Sequence, residues 1–242
     1  IRQLAMAISG WSITDEGDTG HGGFKFRDNY HQPGARIILG KSYGDNGEAQ
    51  GRAVLHDLAR HRKTAEFISY KLVQHLIADQ PPKQLVSAMV DTWVKTEGDI
   101  KAVVTTMIKH SQSWDSQSNK FKTPREFVVS AYRAVNHPEA VDQGLLNILM
   151  RGLNFMGHKP FASGSPAGYS QLNIAWSGSD ALMKRIDWVS LLSQKTSETP
   201  KNVAARIFDS QLSPLTVKLL AGAESRAQGL AMLLLSPEFQ RR

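Results

Sequence analysis

The sequence predicts a mostly α protein: a compact multi-helix assembly with one small two-stranded β-ribbon near residues 24–39. Three observations predict it. Apolar residues recur at helical spacing through most of the chain; Ile100, Val103, Val104, Met107 and Ile108 fill every position of one amphipathic stripe. Thr123-Pro124-Arg125-Glu126 and Ser213-Pro214 carry the cap-then-proline signature of a helix start. Strand-like character is confined to two short segments, Phe24-Lys25-Phe26-Arg27 and Arg36-Ile37-Ile38-Leu39. With 242 residues, 41% of them apolar, the chain can bury a real core, and the composition is not that of a disordered protein. No apolar run approaches the roughly 18 residues of a membrane span. Cysteine is absent, which removes disulfides, thiolate-bound metal and thiol nucleophiles. Lys and Arg number 29 against 22 Asp and Glu, a net charge of +7 that favours encounters with anions.

Taken in order, residues 3–9 read as a short helix ending at Gly10-Trp11. The Gly- and Asp-rich run from Thr14 to Gly23 is a loop. The two strand segments are expected to pair with each other across Asp28 to Ala35, and a two-stranded ribbon is marginal unless it leans on helices. Asn46 is expected to cap a helix running to Arg60. A second helix covers 63–78, stopped by Pro81-Pro82, and the next covers 83–96, ended by Gly98. The Ile100 helix follows, then a polar loop over 112–122. Thr123 opens a helix to Val135, His137-Pro138 interrupts, and another helix covers 141–155. Residues 157–178 form a long loop, of the kind that often carries function. Helices over 179–194, 201–210, 214–221 and 225–235 complete the chain, which is expected to be a single helical domain.

The sequence lacks the P-loop, the dinucleotide glycine fingerprint, the nucleophile elbow and the HExxH zinc motif. Gly164-Ser165-Pro166-Ala167-Gly168 is a turn, since proline follows the serine and no strand precedes it. His21 and His31, with Asp15, Asp18 and Asp28 nearby in sequence, have the ligand types of a carboxylate–imidazole metal site, although capping and turn chemistry explain them as well. The acidic loop misses the calcium-loop register, because Phe26 stands where the twelfth-position glutamate belongs. Any metal or cofactor stays open. For acid–base chemistry the candidates are Asp28, His31 and His61, with Asp57 and Glu66 beside them. Trp11 and Tyr30 near the ribbon, and Tyr169 and Trp176 in the long loop, are candidates for ligand stacking; pinning the loop to the core is the favoured alternative. The one tight basic cluster is Arg60, His61, Arg62 and Lys63, with Arg241 and Arg242 at the end of the sequence. That is a thin footprint for nucleic-acid binding.

Several segments, in this order, resemble a known family: Ser9-Gly10-Trp11, Phe24-Lys25-Phe26, His31 to Gly40, Leu58 to Leu72, Asp79-Gln80-Pro81-Pro82, Gly98-Asp99-Ile100, Thr123 to Glu126, Trp176 ahead of Leu182-Met183-Lys184-Arg185, and Leu235 to Gln240. The similarity, to the C-terminal half of bacterial DUF1800 proteins of unknown function, spans nearly the whole chain. It implies an exported protein, periplasmic or extracellular, whose N-terminal helical half is absent. It also implies a neighbour of the DUF1501 family as a possible partner. Arg185, within a shared segment, joins the binding candidates. Two positions depart from the family pattern: Gln32 follows His31 where Asp is common, and Arg62 follows His61 where Pro is common. Residue 1 already reads as the inside of a helix and is expected not to be the natural start. The functional expectation is an accessory protein binding a partner protein or an extracellular polymer. The alternatives are a hydrolase-type enzyme, with or without a metal, on the residues near the ribbon, and nucleic-acid binding through the basic cluster.

Overall fold

The computed structural model describes residues 1–15, 17, 22–114, 120–135, 143–209 and 211–242. The protein is mostly α, as its periodicity predicts: among the described residues there are twelve helices and two small antiparallel sheets. None of these helices is long and apolar enough to cross a membrane. The contacts cluster into two compact units, one of residues 1–71 with 83–110, the other of 72–82 with 111–242.

In the first unit, helix α1 (Arg2–Ala7) is followed by strands β1 (Trp11–Ile13) and β2 (Phe24–Phe26), which pair with Trp11 opposite Phe26. A second hairpin joins β3 (Arg36–Ile38) to β4 (Lys41–Tyr43), with Ile38 opposite Lys41. The single ribbon expected between 24–27 and 36–39 is therefore corrected to two hairpins. The physical reason is the turn. Leu39 and Gly40 both have positive φ, +49° and +81°, as the two central residues of a type I′ hairpin turn must. They fold β3 back onto the next residues, and Leu39 conceals that turn because leucine seldom adopts this conformation.

Both hairpins lean on helices. α1 packs on β3, and helix α2 (Glu48–Arg60) packs on α1 and β4 around Ala7, Tyr43 and Val54. Buried Gln50 donates to the Gly44 and Gly34 carbonyls at 2.8 and 3.1 Å, fixing the loops on either side of the second hairpin. Gly51 lets the Trp11 indole lie against α2: a Cβ there would fall 2.8 Å from the ring and 2.9 Å from the Ala7 carbonyl oxygen. Helix α3 (Arg62–Leu76) follows, then α4 (Lys83–Lys95) and α5 (Ile100–Lys109), which pack together. Asp99 caps α5 by accepting the Lys101 and Ala102 N–H groups. The predicted helices are thus present, with ends shifted by one or two residues; the α2 N-cap is Gly47 rather than Asn46.

In the second unit, helix α6 (Pro124–Ala134) opens with the full capping box read from Thr123 and Glu126. The His137-Pro138 interruption lies outside the described residues. Helices α7 (Gln143–Phe155), α8 (Ser179–Gln194), α9 (Pro200–Phe208), α10 (Pro214–Ala221) and α11 (Arg226–Leu234) follow, with the long loop between α7 and α8. α11 packs on α8, α9 and α10, and the core gathers Phe127, Leu153, Trp188, Leu192, Val203, Leu230 and Phe239. A short helix beyond the predicted set, α12 (Pro237–Gln240), begins at Ser236-Pro237. Four helices here start from Ser or Thr before Pro, the hydroxyl accepting a backbone N–H of the first turn.

Glu238 in α12 reaches the start of α10. Its carboxylate accepts the Ser213 N–H at 3.0 Å and the Thr216 hydroxyl at 2.9 Å. Burial alone would raise this carboxyl, but the hydrogen bonds from Ser213 and Thr216 outweigh it and bring it down to about 2.

Gly51→Ala is expected to destabilise the protein by about 2 kcal/mol, because neither a packed indole nor a backbone carbonyl yields easily. An unchanged urea midpoint would contradict this. The Glu238 contribution is complete above the unfolded glutamate value of about 4.3 and fades as pH falls toward 2. The stability gap between wild type and Glu238→Gln should therefore narrow from pH 5 to pH 2. Urea denaturation at a series of pH values checks the trend, and a constant gap would refute it.

Candidate functional site

The sequence candidates in the first unit occupy separate settings. Asp28 and Tyr30 sit in an exposed 3-10 turn, Asp28–Tyr30, directly after β2. His31 caps that turn and points inward, its side chain 5% exposed. Its Nδ1 donates to the Ser9 carbonyl at 2.9 Å, and its Nε2 lies 3.8 Å from Asp45 Oδ1, beyond hydrogen-bond reach. Trp11 packs edge-on against Phe24, with the Arg52 guanidinium over both rings. His61 is exposed, and its Nδ1 accepts the Lys63 N–H at 3.1 Å, so Nε2 carries the ring proton in the neutral form.

His61 borders a 290 Å³ pocket with Lys41, Tyr43 and Asp57 under Ile38, Leu39 and Leu58; Asp28 and His31 are not part of its lining. Asp57 accepts Lys41 Nζ at 2.5 Å and the Tyr43 hydroxyl at 2.7 Å. These bonds hold the Asp57 carboxyl below its usual range, while burial and then Asp57 push the Tyr43 phenol up to about 12. The basic cluster is ion-paired: Arg60 with Glu97, Arg62 with Glu66 and Asp91, Lys63 with Glu66. Among the described residues no three His, Asp or Glu side chains are grouped to hold a metal ion. Of the suggested metal ligands, Asp18 and His21 lie outside the described residues.

In the second unit, Tyr169 and Trp176 stand together with His158. The His158 ring stacks on Trp176 at 5.2 Å and meets Tyr169 edge-on at 4.3 Å. Trp176 is 8% exposed, and its Nε1 donates to the Ser170 carbonyl; the Tyr169 hydroxyl donates to the Lys159 carbonyl. These contacts fasten the long loop to itself, and the His158 backbone N–H, donated to the Leu153 carbonyl, ties it to the end of α7. Burial, followed by the charge of Arg125, lowers the His158 imidazole.

Two cations lie deep in the same unit. Lys120, 1% exposed, donates to Asp79 Oδ1 at 2.5 Å and to the Gln171 carbonyl at 2.6 Å. The other Asp79 oxygen accepts the Asn173 N–H, and the Asn173 side chain accepts the Phe121 N–H. Arg185, also 1% exposed, makes no ion pair with a carboxylate among the described residues. It donates to Gln240 Oε1 and to the Lys122 carbonyl, both at 2.6 Å, and its guanidinium lies over the Phe121 and Phe127 rings. Burial lowers its guanidinium to about 10.

This clamp fixes the wall of a larger cleft, about 630 Å³, beside α6. Backbone pairing of Lys122 with Gln240 and of Arg242 with Lys120 brings residues 120–122 alongside 240–242. Lys122, Arg125, Arg133, Arg206 and Arg242 surround the cleft with one acid, Glu126; Val129, Ile207 and Phe239 add apolar surface. Glu126 is committed to Arg242 at 2.6 Å and to Thr123. Arg206 bonds the Ala134 carbonyl. Among the described residues Lys122, Arg125 and Arg133 have no acidic partner. Lys122 Nζ rests 3.9 Å from the Phe239 ring centroid. Burial pushes its ammonium down to about 8; Glu126 opposes that shift, while Arg185 and Arg242 add to it.

Sequence reading passed over this site, although one signal for it was there. Arg125, Glu126, Val129, Ser130 and Arg133 follow a helical period on the face of α6 opposite its core positions Phe127, Val128 and Ala131, and Lys122 precedes that helix by two residues.

The fold and site define a mostly helical protein with a cationic, partly apolar cleft. The model of a family described as a protein of unknown function, DUF1800, matches residues 1–241, and the chain belongs to that family. No curated protein and no solved structure matches the chain.

Asp79→Asn should destabilise the protein by about 3 kcal/mol, because it leaves the Lys120 ammonium buried without its counter-charge. A loss below about 1 kcal/mol in chemical denaturation would show that the pair contributes as little as an exposed one.

Proposed function

We propose that this protein is an accessory binding protein that seats an acidic segment of a partner protein in the α6 cleft. The observation that carries the reading is the cleft's charge: five cations and one acid, with three of the cations lacking an acidic partner among the described residues. Carboxylates of an incoming segment would meet Arg125 and Arg133, and an apolar side chain between them would meet Val129 and Ile207. In the exported setting that the family resemblance implies, a DUF1501-family protein is the first partner to test, and an N-terminal half of the same protein the second. The hydrolase alternative has less support, since His61 borders a pocket whose lining includes neither Asp28 nor His31.

The test is fluorescence anisotropy with a labelled peptide of alternating Glu and Leu. Binding should weaken as salt screens the charges. The double variant Arg125→Glu, Arg133→Glu changes two exposed side chains and should bind at least about 10-fold more weakly, a loss of about 1.4 kcal/mol. Unchanged affinity in the double variant overturns the reading. Tighter binding of a uronic-acid polymer than of the peptide would replace the protein partner with an acidic polymer.

A further inference from the structure

Most cations of the cleft are guanidinium groups, which stay charged and do not react. Lys122 differs from them. Its amine borders the cleft, lies over the Phe239 ring face and makes no ion pair among the described residues, the nearby Glu126 being paired with Arg242. The surroundings are cationic, with Arg242 and Arg125 on the same cleft and Arg185 bonded to the Lys122 carbonyl. A lysine partly removed from water next to other cations is an activated nucleophile, because both conditions favour its neutral amine.

We propose that Lys122 is a reversible covalent capture site for a small anionic carbonyl compound, an aldehyde or 2-oxo acid bearing a carboxylate or phosphate. The acid group would be held by the arginines of the cleft. The Lys122 ammonium first loses a proton to solvent. Its nitrogen then attacks the carbonyl carbon and a C–N bond forms; the two remaining N–H protons pass by way of solvent to the carbonyl oxygen, whose bonds to carbon break as it leaves as water. The product is an imine, and no electrons are gained or lost overall. The proposal rests on the reading of the cleft as an anion site and adds a control to it. A captured compound fills the space that the acidic segment needs, so capture and partner docking exclude each other.

The depressed ammonium value supports this order of events. Burial and the neighbouring cations thus raise the neutral fraction of Lys122 at pH 8 well above that of a lysine at the ordinary value of about 10.4.

The probe is pyridoxal 5′-phosphate, which joins an aldehyde to a phosphate. The intact protein is treated at pH 8, reduced with borohydride to fix the imine, and mapped by peptide mass spectrometry. One adduct at Lys122 is expected, at least 10-fold above exposed Lys63 and Lys83. Inorganic phosphate should suppress it, as should the charge-reversed pair at Arg125 and Arg133. Lys122→Arg, which keeps the cation over Phe239, should remove the adduct while the circular dichroism spectrum stays that of wild type. Labelling of Lys122 no stronger than of Lys63 and Lys83 overturns the proposal. The two readings fail separately. Peptide binding without selective labelling leaves docking standing and removes capture. Selective labelling in a protein that binds no acidic peptide leaves capture standing and removes docking.

Discussion

A buried guanidinium that makes no ion pair among the described residues organises the second unit. Taking the Arg185 charge out of water carries a penalty of several kcal/mol. The Gln240 amide oxygen, the Lys122 carbonyl and the faces of Phe121 and Phe127 offset that penalty. All of these partners come from two stretches of chain, residues 121–127 and the segment around 240. The arginine is stable only where both stretches meet it, and once they meet, their backbones pair. The positions of Lys122, Phe239 and Arg242 follow from that pairing. The surface cleft is thus a consequence of how an interior charge is satisfied.

A division of labour among the cations results. Lys120 and Arg185 are spent on structure, each bonded to two oxygen acceptors. The Arg60 to Lys63 cluster is balanced by Glu66, Asp91 and Glu97. Among the described residues, Lys122, Arg125 and Arg133 keep charge on one cleft without an acidic partner. A net charge of +7 spread over 242 residues conveys none of this sorting. Which cations are available depends on where the acids fall in space.

Legibility follows the range of the interactions involved. Helix starts are local, so Thr123 with Glu126 and Ser213 with Pro214 could be read directly, and the structure has both caps. The second hairpin could not, because its register depends on Leu39 taking a backbone conformation that leucine rarely adopts. Trp176, Tyr169 and His158 could all be placed in one loop, but that their rings meet depends on how the loop folds back on itself. The cleft was half legible. The α6 stripe is periodic in sequence, whereas Arg206, Phe239 and Arg242 join it only through the packing of distant helices. His31 and Asp28 are three residues apart, yet one side chain turns inward and the other lies in the solvent, a split no local pattern encodes.

The bond set around Asp79 has a consequence for how the family can vary. One carboxylate serves Lys120 through one oxygen and the Asn173 backbone through the other, while the Asn173 side chain holds the amide next to Lys120. Drift at any one of these positions strands a charge or an amide at the others. Substitutions at 79, 120 and 173 should therefore travel as a group through divergence, with the ion pair lost whole and replaced by apolar residues rather than eroded one member at a time.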